Sequence, residues 1–285
     1  MSRIVYVNGD FLPAESAQVS IFDRGLLFAD AVYEVTAVID AGLVDFDAHQ
    51  ARLRRSLAEL AIDFDPQAAD LLGIHRELLA HNALTEGLVY LQVSRGVADR
   101  DFLQPAGATP SVLLFTQALP LLTAPAASRG LRVITRDDLR WHRRDIKTTQ
   151  LLYPSMMKSA AVAAGVDDVW MVEAGRVTEA SSSNAHIITA DGRLITRPLS
   201  SDILHGITRA AVLDYAAEAG VEVIERPFSV TEAQAAAEAF ITSATAFVTP
   251  VVEIDGQPVG DGRPGPATAR LREAYIHHSR QRLQH

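Results

Sequence analysis

The sequence predicts a two-domain protein of the α+β class, and three observations lead to that expectation. At 285 residues the chain is long enough for one large or two modest domains. Strand-like stretches follow one another across turns more often than they alternate with helices, which favours α+β over a doubly wound α/β sheet. Residues 120–130, "PLLTAPAASRG", form the best candidate linker. We therefore predict a small N-terminal domain over 1–119 and a larger domain over 131–285.

The N-terminal domain is expected to open with sheet and to continue with two helices. Asn8 and Gly9 lie between two β-rich stretches, and their tolerance of positive φ angles suits a tight hairpin turn. Asp47 is the expected N-cap of the first helix. Three leucines with helical spacing form its apolar stripe, namely Leu53, Leu57 and Leu60. A second helix is expected from about Pro66 to Ala83, and the stretches "GLVYLQVSRGV" and "SVLLFTQAL" are predicted to be strands.

The larger domain is expected to mix strands and helices. The stretch "GLRVITRDDLRW" begins as a strand, and "SMMKSAAVAAG" reads as a short helix that ends at Gly165. Strands then follow one another across turns at Gly175 and Gly192. The stretch "ITRAAVLDYAAEAG" is a predicted helix closed by Gly220, "SVTE" is a capping box, and a last helix starts near Pro266.

Composition excludes several classes of function. A net charge of −9 argues against a nucleic-acid-binding surface, because neutralising phosphates requires an excess of basic residues. The apolar runs are far shorter than a membrane span, and the stretch "MSRIVYVNGDFLP" lacks the apolar segment of a cleaved export signal. The absence of cysteine excludes disulfides and thiolate metal sites. We expect a cytoplasmic protein that acts on small molecules without a metal.

Three familiar catalytic motifs are absent or out of context. Gly260–Gly265, "GDGRPG", matches the spacing of a dinucleotide-binding loop, but that fingerprint also needs a complete βαβ unit and an acidic residue about 20 positions further on, and here Pro264 and Pro266 flank the third glycine. The nine histidines form no H-E-x-x-H pair, and no G-x-S-x-G elbow is present. The motifs therefore give no support to redox, zinc hydrolase or serine hydrolase chemistry.

One combination of residues does fit a single chemistry. Lys147 and Lys158 are the only lysines among 26 basic residues, and a lysine can lose its proton and act as a nucleophile, whereas an arginine stays charged. Glu179 is an isolated carboxylate, and Ile207 and Thr208 lie at a predicted helix start, where backbone N–H groups attract phosphate. An amine, a carboxylate and a phosphate cradle are what pyridoxal phosphate requires. Each feature is also typical of ordinary surface positions, so the residues alone leave the function open.

Taken together, the motifs resemble those of the fold-type IV pyridoxal-phosphate enzymes, most closely the D-amino-acid (D-alanine) aminotransferases. The resemblance runs nearly end to end, and its quoted segments occur in the family's order: "DRGLLFADAVYEV", "HQARLRRSL", "DIKTTQLL", "VTEASSSN", "GITR" and "FITSATAFVTPVVEIDG". It implies a small N-terminal α/β domain, a larger C-terminal pseudo-barrel domain, a homodimer and pyridoxal 5'-phosphate as cofactor.

The resemblance also assigns cofactor roles to individual positions. Lys147 matches the lysine that forms the internal aldimine with the cofactor, and Glu179 matches the carboxylate on the pyridine nitrogen. The remaining matches bind the cofactor phosphate, namely Arg52, Ile207, Thr208, Ser243 and Ala244. Arg52 is expected near the start of its helix, an unfavourable place for a cation, which a bound phosphate would offset. His49 is expected to have a structural role at the helix entry.

Three further positions match the trap for the substrate carboxylate in the D-amino-acid branch. Tyr33 matches its tyrosine and Arg100 its arginine, but Phe102 stands where the family has a histidine. The implied reaction is transamination between a D-amino acid and a 2-oxo acid such as 2-oxoglutarate. Phe102 keeps open a branched-chain L-amino-acid or (R)-amine aminotransferase, and a lyase resembling aminodeoxychorismate lyase is a further alternative. A non-catalytic binding protein is disfavoured, because it would not need Lys147, Glu179 and the cradle together.

Overall fold

The computed structural model describes residues 2–285, and the chain separates into two compact units. Unit 1 comprises the chain up to Pro120, Ile146–Gln150 and Arg282–His285, and unit 2 comprises Leu121–Asp145 and Leu151–Gln281. The division into domains 1–119 and 131–285 stays a prediction. Two short segments from far along the chain, 146–150 and 282–285, belong to unit 1. The sequence patterns did not indicate this.

Unit 1 is built on a six-stranded sheet whose strand pairs are all antiparallel. Its strands are β1 (Ile4–Val7), β2 (Asp10–Pro13), β3 (Ala31–Ile39), β4 (Gly42–Leu43), β5 (Gly87–Ser94) and β6 (Ser111–Ala118), and its helices are α1 (Arg24–Phe28), α2 (Phe46–Glu59) and α3 (Leu71–Asn82). The strand order is β2-β1-β6-β5-β3-β4. Asn8 and Gly9 have positive φ angles of 49° and 110° between β1 and β2, which confirms the hairpin.

The apolar core of unit 1 lies between this sheet and α2 and α3. Leu53 and Leu57 are buried in it, and Leu60 packs against it, so the leucine stripe is confirmed. The expected cap is wrong: α2 begins at Phe46, the N-cap is Asp45, and Asp47 lies in the first turn. The buried Phe46 ring packs edge-on against His75, so the first residue of α2 is already part of the core.

The second helix also starts later than predicted. Residues 66–70 form turns, and α3 begins at Leu71 with the Asp70 carboxylate accepting a hydrogen bond from the Gly73 N–H group. Local cap chemistry at Asp70 therefore fixes the start of the helix, rather than the proline at 66.

Unit 2 is built on a nine-stranded mixed sheet that curls into a half-barrel. Its strands are β7 (Leu131–Asp137), β8 (Asp168–Glu173), β9 (Arg176–Ala180), β10 (Asn184–Ile188), β11 (Leu194–Thr196), β12 (Val223–Glu225), β13 (Glu238–Ser243), β14 (Phe247–Ile254) and β15 (Gln257–Pro258). Its helices are α4 (Pro125–Arg129), α5 (Leu152–Ala163), α6 (Ile207–Glu218), α7 (Val230–Gln234) and α8 (Pro266–Gln281). The strand order is β12-β11-β10-β13-β14-β7-β8-β9, with β15 paired to β14.

Several local predictions for unit 2 are confirmed. The turn residues Gly175 and Gly192 have φ angles of 73° and 82°, and Gly220 follows α6 at 75°. The Ser229 side chain caps α7 by accepting from the Glu232 N–H group. The α+β expectation also holds, because most strand pairs of this sheet are antiparallel. Among residues 2–285, none of the helices combines the length and apolar character that crossing a bilayer requires.

Candidate active site

Lys147 lies on a short extended segment of unit 1 that runs beside β3. The Tyr33 N–H group donates to the Lys147 carbonyl at 3.0 Å, and the Thr149 N–H group donates to the Ala31 carbonyl at 3.1 Å. Ile146 and Thr148 on either side are buried, whereas Lys147 is half-buried. These hydrogen bonds hold the segment against β3, and because side chains alternate along an extended chain, the Lys147 side chain points away from the buried side of Ile146 and Thr148.

The Lys147 amine lies over the ring of Tyr33. Its Nζ is 4.1 Å from the ring centroid, a distance at which the ring face attracts an ammonium ion. Tyr33 stacks on Tyr90 with centroids 5.5 Å apart, and Tyr90 stacks on Phe115 at 4.8 Å. These stacks fix the Tyr33 ring on the sheet. The structure therefore brings together Lys147 and Tyr33, which were predicted from different motifs of the sequence.

Arg52 forms a buried ion pair with Glu34. The guanidinium Nε donates to Glu34 Oε1 at 2.8 Å, and Nη2 donates to Oε2 at 2.6 Å. His49 Nδ1 lies 2.7 Å from the same Oε2, in agreement with a structural role for this histidine. Although burial raises the pKa of the Glu34 carboxyl, Arg52 and His49 outweigh it and lower that pKa to about 2.

Arg52 lies further into its helix than expected. It is in the second turn of α2, beyond the first turn where the helix dipole acts most strongly. The carboxylate of Glu34 supplies a countercharge, and phosphate binding by Arg52 stays a prediction. Sequence reasoning missed Glu34. Tyr33 and Glu34 are neighbours on strand β3, and neighbouring strand residues point to opposite faces. If Tyr33 faces the ligand, Glu34 therefore faces the helices of unit 1, and that pattern could have indicated it.

Glu179 lies in β9 and is buried, with 3% of its surface exposed. Its Oε1 accepts from the Arg140 guanidinium, and its Oε2 accepts from the Asn184 side-chain amide and the Leu204 N–H group, both at 3.1 Å. Burial raises the pKa of the Glu179 carboxyl, and Arg140 opposes that rise. Glu179 is thus an oriented carboxylate within unit 2 and not the solvated turn residue that its polar sequence context allowed.

The N-terminus of α6 offers backbone N–H groups without a capping side chain. Gly206 is the N-cap, and no side chain from residues 2–285 caps it. A Cβ atom at Gly206 would lie 2.1 Å from Asn184 Oδ1, so glycine is required there by the same side chain that binds Glu179. Ile207 and the buried Thr208 open the helix. These features suit an anion at the helix start.

Ser243 and Ala244 lie at the end of β13, also in unit 2. Ser243 is the last residue of the strand, and its Oγ accepts from the Ala246 N–H group at 3.1 Å. That bond organises the turn from β13 to β14 and uses the hydroxyl as an acceptor only. Its proton remains able to donate to an anion.

Arg100 and Phe102 lie on the long loop between β5 and β6 of unit 1. Phe102 is 80% exposed and packs edge-on against Phe28 at 5.7 Å, and the Arg100 guanidinium lies 5.5 Å from the Phe102 ring centroid. Across the described residues of unit 1, no hydrogen bond, ion pair or ring contact joins either residue to Tyr33 or Lys147. A direct contact therefore joins Arg100 to Phe102 within unit 1, and the carboxylate trap that would combine both with Tyr33 stays a prediction.

Two further basic residues form ion pairs. Lys158, the other lysine of the chain, is half exposed and pairs with Asp168 at 3.0 Å. Arg140, which sequence reasoning did not select, binds Glu179 directly. Its only sequence signal is its place in the basic stretch "RWHRR", which does not distinguish it from its neighbours.

Comparison with known proteins gives one consistent result. The model of the family "Amino-transferase class IV" matches residues 31–254. The chain is 40% identical over 271 residues to a D-alanine aminotransferase of Bacillus licheniformis, covering 95% of each chain. It is 34% identical over 272 residues to a D-alanine aminotransferase of Staphylococcus aureus, covering 95% of this chain and 96% of the relative.

Solved structures agree at the level of the fold. A branched-chain amino acid aminotransferase of Escherichia coli superposes with a TM-score of 0.89 at 25% identity, covering 98% of this chain and 95% of the other. A branched-chain aminotransferase of the archaeon Thermoproteus uzoniensis, solved with norvaline, gives 0.86 at 26% identity, covering 97% and 94%. A third branched-chain amino acid aminotransferase, from T.th. and solved with pyridoxamine 5'-phosphate, gives 0.85 at 26% identity over the same shares. Because the family model and the relatives span most of the sequence, the fold and the family are shown together. The chain belongs to the class IV aminotransferases.

Proposed function

We propose that this aminotransferase binds pyridoxal 5'-phosphate and transfers an amino group between a D-amino acid of the D-alanine type and a 2-oxo acid such as 2-oxoglutarate. The relatives named as D-alanine aminotransferases, 34–40% identical over nearly the whole chain, support the substrate class. The observation that carries the proposal is Lys147. Its amine is held over the Tyr33 ring and forms no ion pair with a carboxylate among the residues from 2 to 285. Such an amine can serve as a nucleophile.

The residues present fit the cofactor. Lys147 supplies the amine that bonds to it, Glu179 supplies a buried carboxylate for the pyridine nitrogen, and the uncapped start of α6 suits a phosphate. We assign the phosphate to Ile207, Thr208, Ser243, Ala244 and Arg52. The related T.th. enzyme was solved with pyridoxamine 5'-phosphate, which supports this cofactor class. When bound, the cofactor supplies an electron sink for the charge that develops on the substrate Cα.

The protein's own residues handle the proton. We assign Lys147 Nζ as the base that removes the Cα proton and later returns it to the cofactor. Once Nζ carries the proton it is an ammonium ion, and the Tyr33 ring face stabilises that form at a distance of 4.1 Å. Backbone hydrogen bonds to β3 hold the 146–150 segment in place, which positions the start of the Lys147 side chain.

We assign Tyr33, Arg100 and Phe102 to substrate binding, with Arg100 opposite the substrate carboxylate. We also propose a homodimer in the cytoplasm. Five large apolar side chains of unit 1 are more than half exposed, which supports an interface there; they are Ile21, Leu26, Val97, Phe102 and Leu103. The absence of cysteine supports a reducing compartment.

A second candidate function is supported by Phe102 and by the fold comparison. A phenylalanine removes the donor that a histidine would offer to a carboxylate, and the E. coli branched-chain enzyme has the same fold. A branched-chain L-amino-acid or (R)-amine aminotransferase is therefore the alternative.

The proposal is tested by spectroscopy and by a substrate panel. Purified protein should show a visible chromophore that borohydride fixes covalently to Lys147, and Lys147→Ala should lose both the chromophore linkage and turnover. Lys158→Ala is the matched control and should keep both. D- and L-amino acids and an (R)-amine are then compared with pyruvate and 2-oxoglutarate as acceptors. Turnover restricted to L-leucine and L-valine would contradict the D-amino-acid assignment and favour the alternative.

A further inference from the structure

The carboxylate of Glu179 has about one acceptor position to spare. A carboxylate offers about four acceptor positions, two on each oxygen. Asn184 and Leu204 occupy Oε2, whereas within the chain from residue 2 onward only Arg140 donates to Oε1. The free position is therefore on Oε1, the oxygen that Arg140 holds.

Arg140 is itself held rigidly by Asp138. Its Nε donates to Asp138 Oδ1 at 2.9 Å and its Nη2 donates to Oδ2 at 2.7 Å, leaving Nη1 directed at Glu179. Asp138 is fixed in turn by the Thr178 hydroxyl at 2.6 Å and by Arg144 at 3.3 Å. A guanidinium bound along one edge by a carboxylate has little freedom to rotate, so Arg140 fixes the direction of Oε1.

We propose that Arg140 is a positioning residue for the pyridine nitrogen of the cofactor, because it keeps Glu179 ionised and fixes the one oxygen that is left to accept a hydrogen bond. The inference rests on the proposed function, since it needs Glu179 to face that nitrogen. Arg140 acts through Glu179 and touches no reacting atom.

The charges around Glu179 explain why it depends on Arg140. Burial favours the neutral carboxyl, and the nearby Asp138 carboxylate adds repulsion, so Arg140 is the cation that opposes both effects on Glu179. Arg144 pairs with Asp138 and with Glu173 instead. Without Arg140, Asp138 would keep Arg144 and Thr178 as partners, and Glu179 would be the carboxyl that takes up a proton.

The test compares Arg140→Met with Arg140→Lys and Arg144→Met. Arg140→Met removes the charge but keeps a long unbranched side chain, and Arg140→Lys keeps a charge without the planar fork. Arg144→Met removes another buried guanidinium from the same Asp138. Arg144 also donates to the Arg140 carbonyl at 3.2 Å, but it is not one of the donors to the Glu179 carboxylate. Cofactor-free protein is examined by infrared spectroscopy for a protonated carboxyl group. Pyridoxal phosphate is then titrated into it while tryptophan fluorescence is recorded.

We expect a protonated carboxyl band at neutral pH in Arg140→Met, absent from the wild type and from the double variant that also carries Glu179→Gln. The dissociation constant for pyridoxal phosphate should rise about tenfold or more, because a charge-assisted hydrogen bond to the ring nitrogen is lost. It should recover as pH rises and Glu179 ionises. Arg140→Lys should show no band and a loss of only a few fold. Arg144→Met should resemble the wild type in both measurements.

Two results would overturn the inference. The first is a carboxyl band in the double variant, which would place the proton on Asp138. The second is a mismatch between the charge at position 140 and the two measurements. Examples are an Arg140→Met protein in which Glu179 stays ionised and the affinity for pyridoxal phosphate is unchanged, or an Arg140→Lys protein in which Glu179 is protonated. Arg140→Lys keeps the test open if Arg140→Met does not fold. If wild-type protein binds no pyridoxal phosphate, the proposed function fails, while the infrared comparison still decides whether Arg140 controls the ionisation of Glu179.

Discussion

Phe102 stands at the position that the family resemblance matches to a histidine of the carboxylate trap. Its ring is highly exposed and lies against Phe28 and the Arg100 guanidinium. An exposed aromatic ring beside an arginine favours apolar parts of a ligand over a second hydrogen bond to its carboxylate. If Phe102 binds substrate as proposed, we expect the side chain at 102 to influence substrate choice more than folding.

Restoring the donor should improve the binding of amino acids. We expect Phe102→His to lower the KM for D-alanine about tenfold, the scale of one hydrogen bond to a charged group, with little change in kcat. Activity towards an (R)-amine, which has no carboxylate, should not improve. Steady-state kinetics with both donors measure the difference. Leu103→His, at a similarly exposed neighbouring position, is the control, and an equal gain in that variant would show that position 102 is not specific.

At the scale of elements, Arg24 joins α1 to the loop that carries Arg100 and Phe102. Its Nε donates to Asp30, and its Nη1 donates to the Asp101 carbonyl at 2.7 Å. The same guanidinium lies 4.3 Å from the Phe28 ring centroid. Nη1 also lies within hydrogen-bond distance of the Leu103 carbonyl. The buried Arg24 side chain thus holds the loop at the residues just before and just after the exposed Phe102.

Removing this tie should loosen the loop without unfolding unit 1. We expect Arg24→Met to accelerate amide hydrogen exchange of residues 99–104 and to raise the KM for the amino acid about fivefold, since a misplaced binding group loses orientation. Arg95→Met is the control, because Arg95 also binds Asp30 but donates to the carbonyls of Leu60 and Ala61 instead. Faster exchange of the loop in both variants would mean that Asp30, and not Arg24, holds it.

The elements that could be predicted from sequence are those set by local chemistry. The Asn8-Gly9 hairpin and the Ser229 cap depend on residues within a few positions of one another, and both are confirmed. The start of α2 was missed by two residues. Phe46, its first residue, packs against His75, and a contact between residues 29 positions apart is not visible in a local pattern.

The candidate site shows the same limit. Lys147 and Glu179 were selected from motifs, but their partners were not. Arg140 lies 39 residues before Glu179, and Glu34 lies 18 residues before Arg52, so each pair meets only after the strands and helices have packed. Ion pairs of this kind leave no periodic pattern in a sequence.

At the scale of the whole molecule, buried titratable groups predict sensitivity to acid. Burial lowers the pKa of His75 to about 4 and that of His186 to about 3, while Arg52 outweighs burial at Glu34 and lowers its pKa to about 2. In each case the unfolded chain binds its proton at a higher pH than the folded chain does. The stability from the histidines is therefore complete above pH 6.5 and is lost as pH falls through 4 and 3. Glu179, with its raised pKa, contributes with the opposite sign.

We expect the free energy of unfolding to fall as pH drops below about 6.5, by about 1.4 kcal/mol per pH unit for each such histidine until its folded pKa is reached. The double variant His75→Leu, His186→Leu should stay level down to the region where carboxylates titrate, near pH 4.5. Urea unfolding at a series of pH values measures this. His81→Leu, at a half-exposed position, is the control and should follow the wild-type curve. A double variant with the wild-type slope would show that other groups govern acid unfolding.

The composition of unit 1 has a consequence for how this protein is made. The Lys147 segment pairs with β3, and Gln284 exchanges backbone hydrogen bonds with Leu43 while its side chain donates to Asp47. A ribosome synthesises residues 2–120 before residues 146–150, and it synthesises residues 282–285 only after the whole of unit 2. During synthesis the start of β3 therefore lacks one partner until residues 146–150 emerge, and the end of β4 lacks its partner until Gln284 does. The sheet of unit 1 is thus completed in two later steps, and the second of them cannot take place before unit 2 has been made.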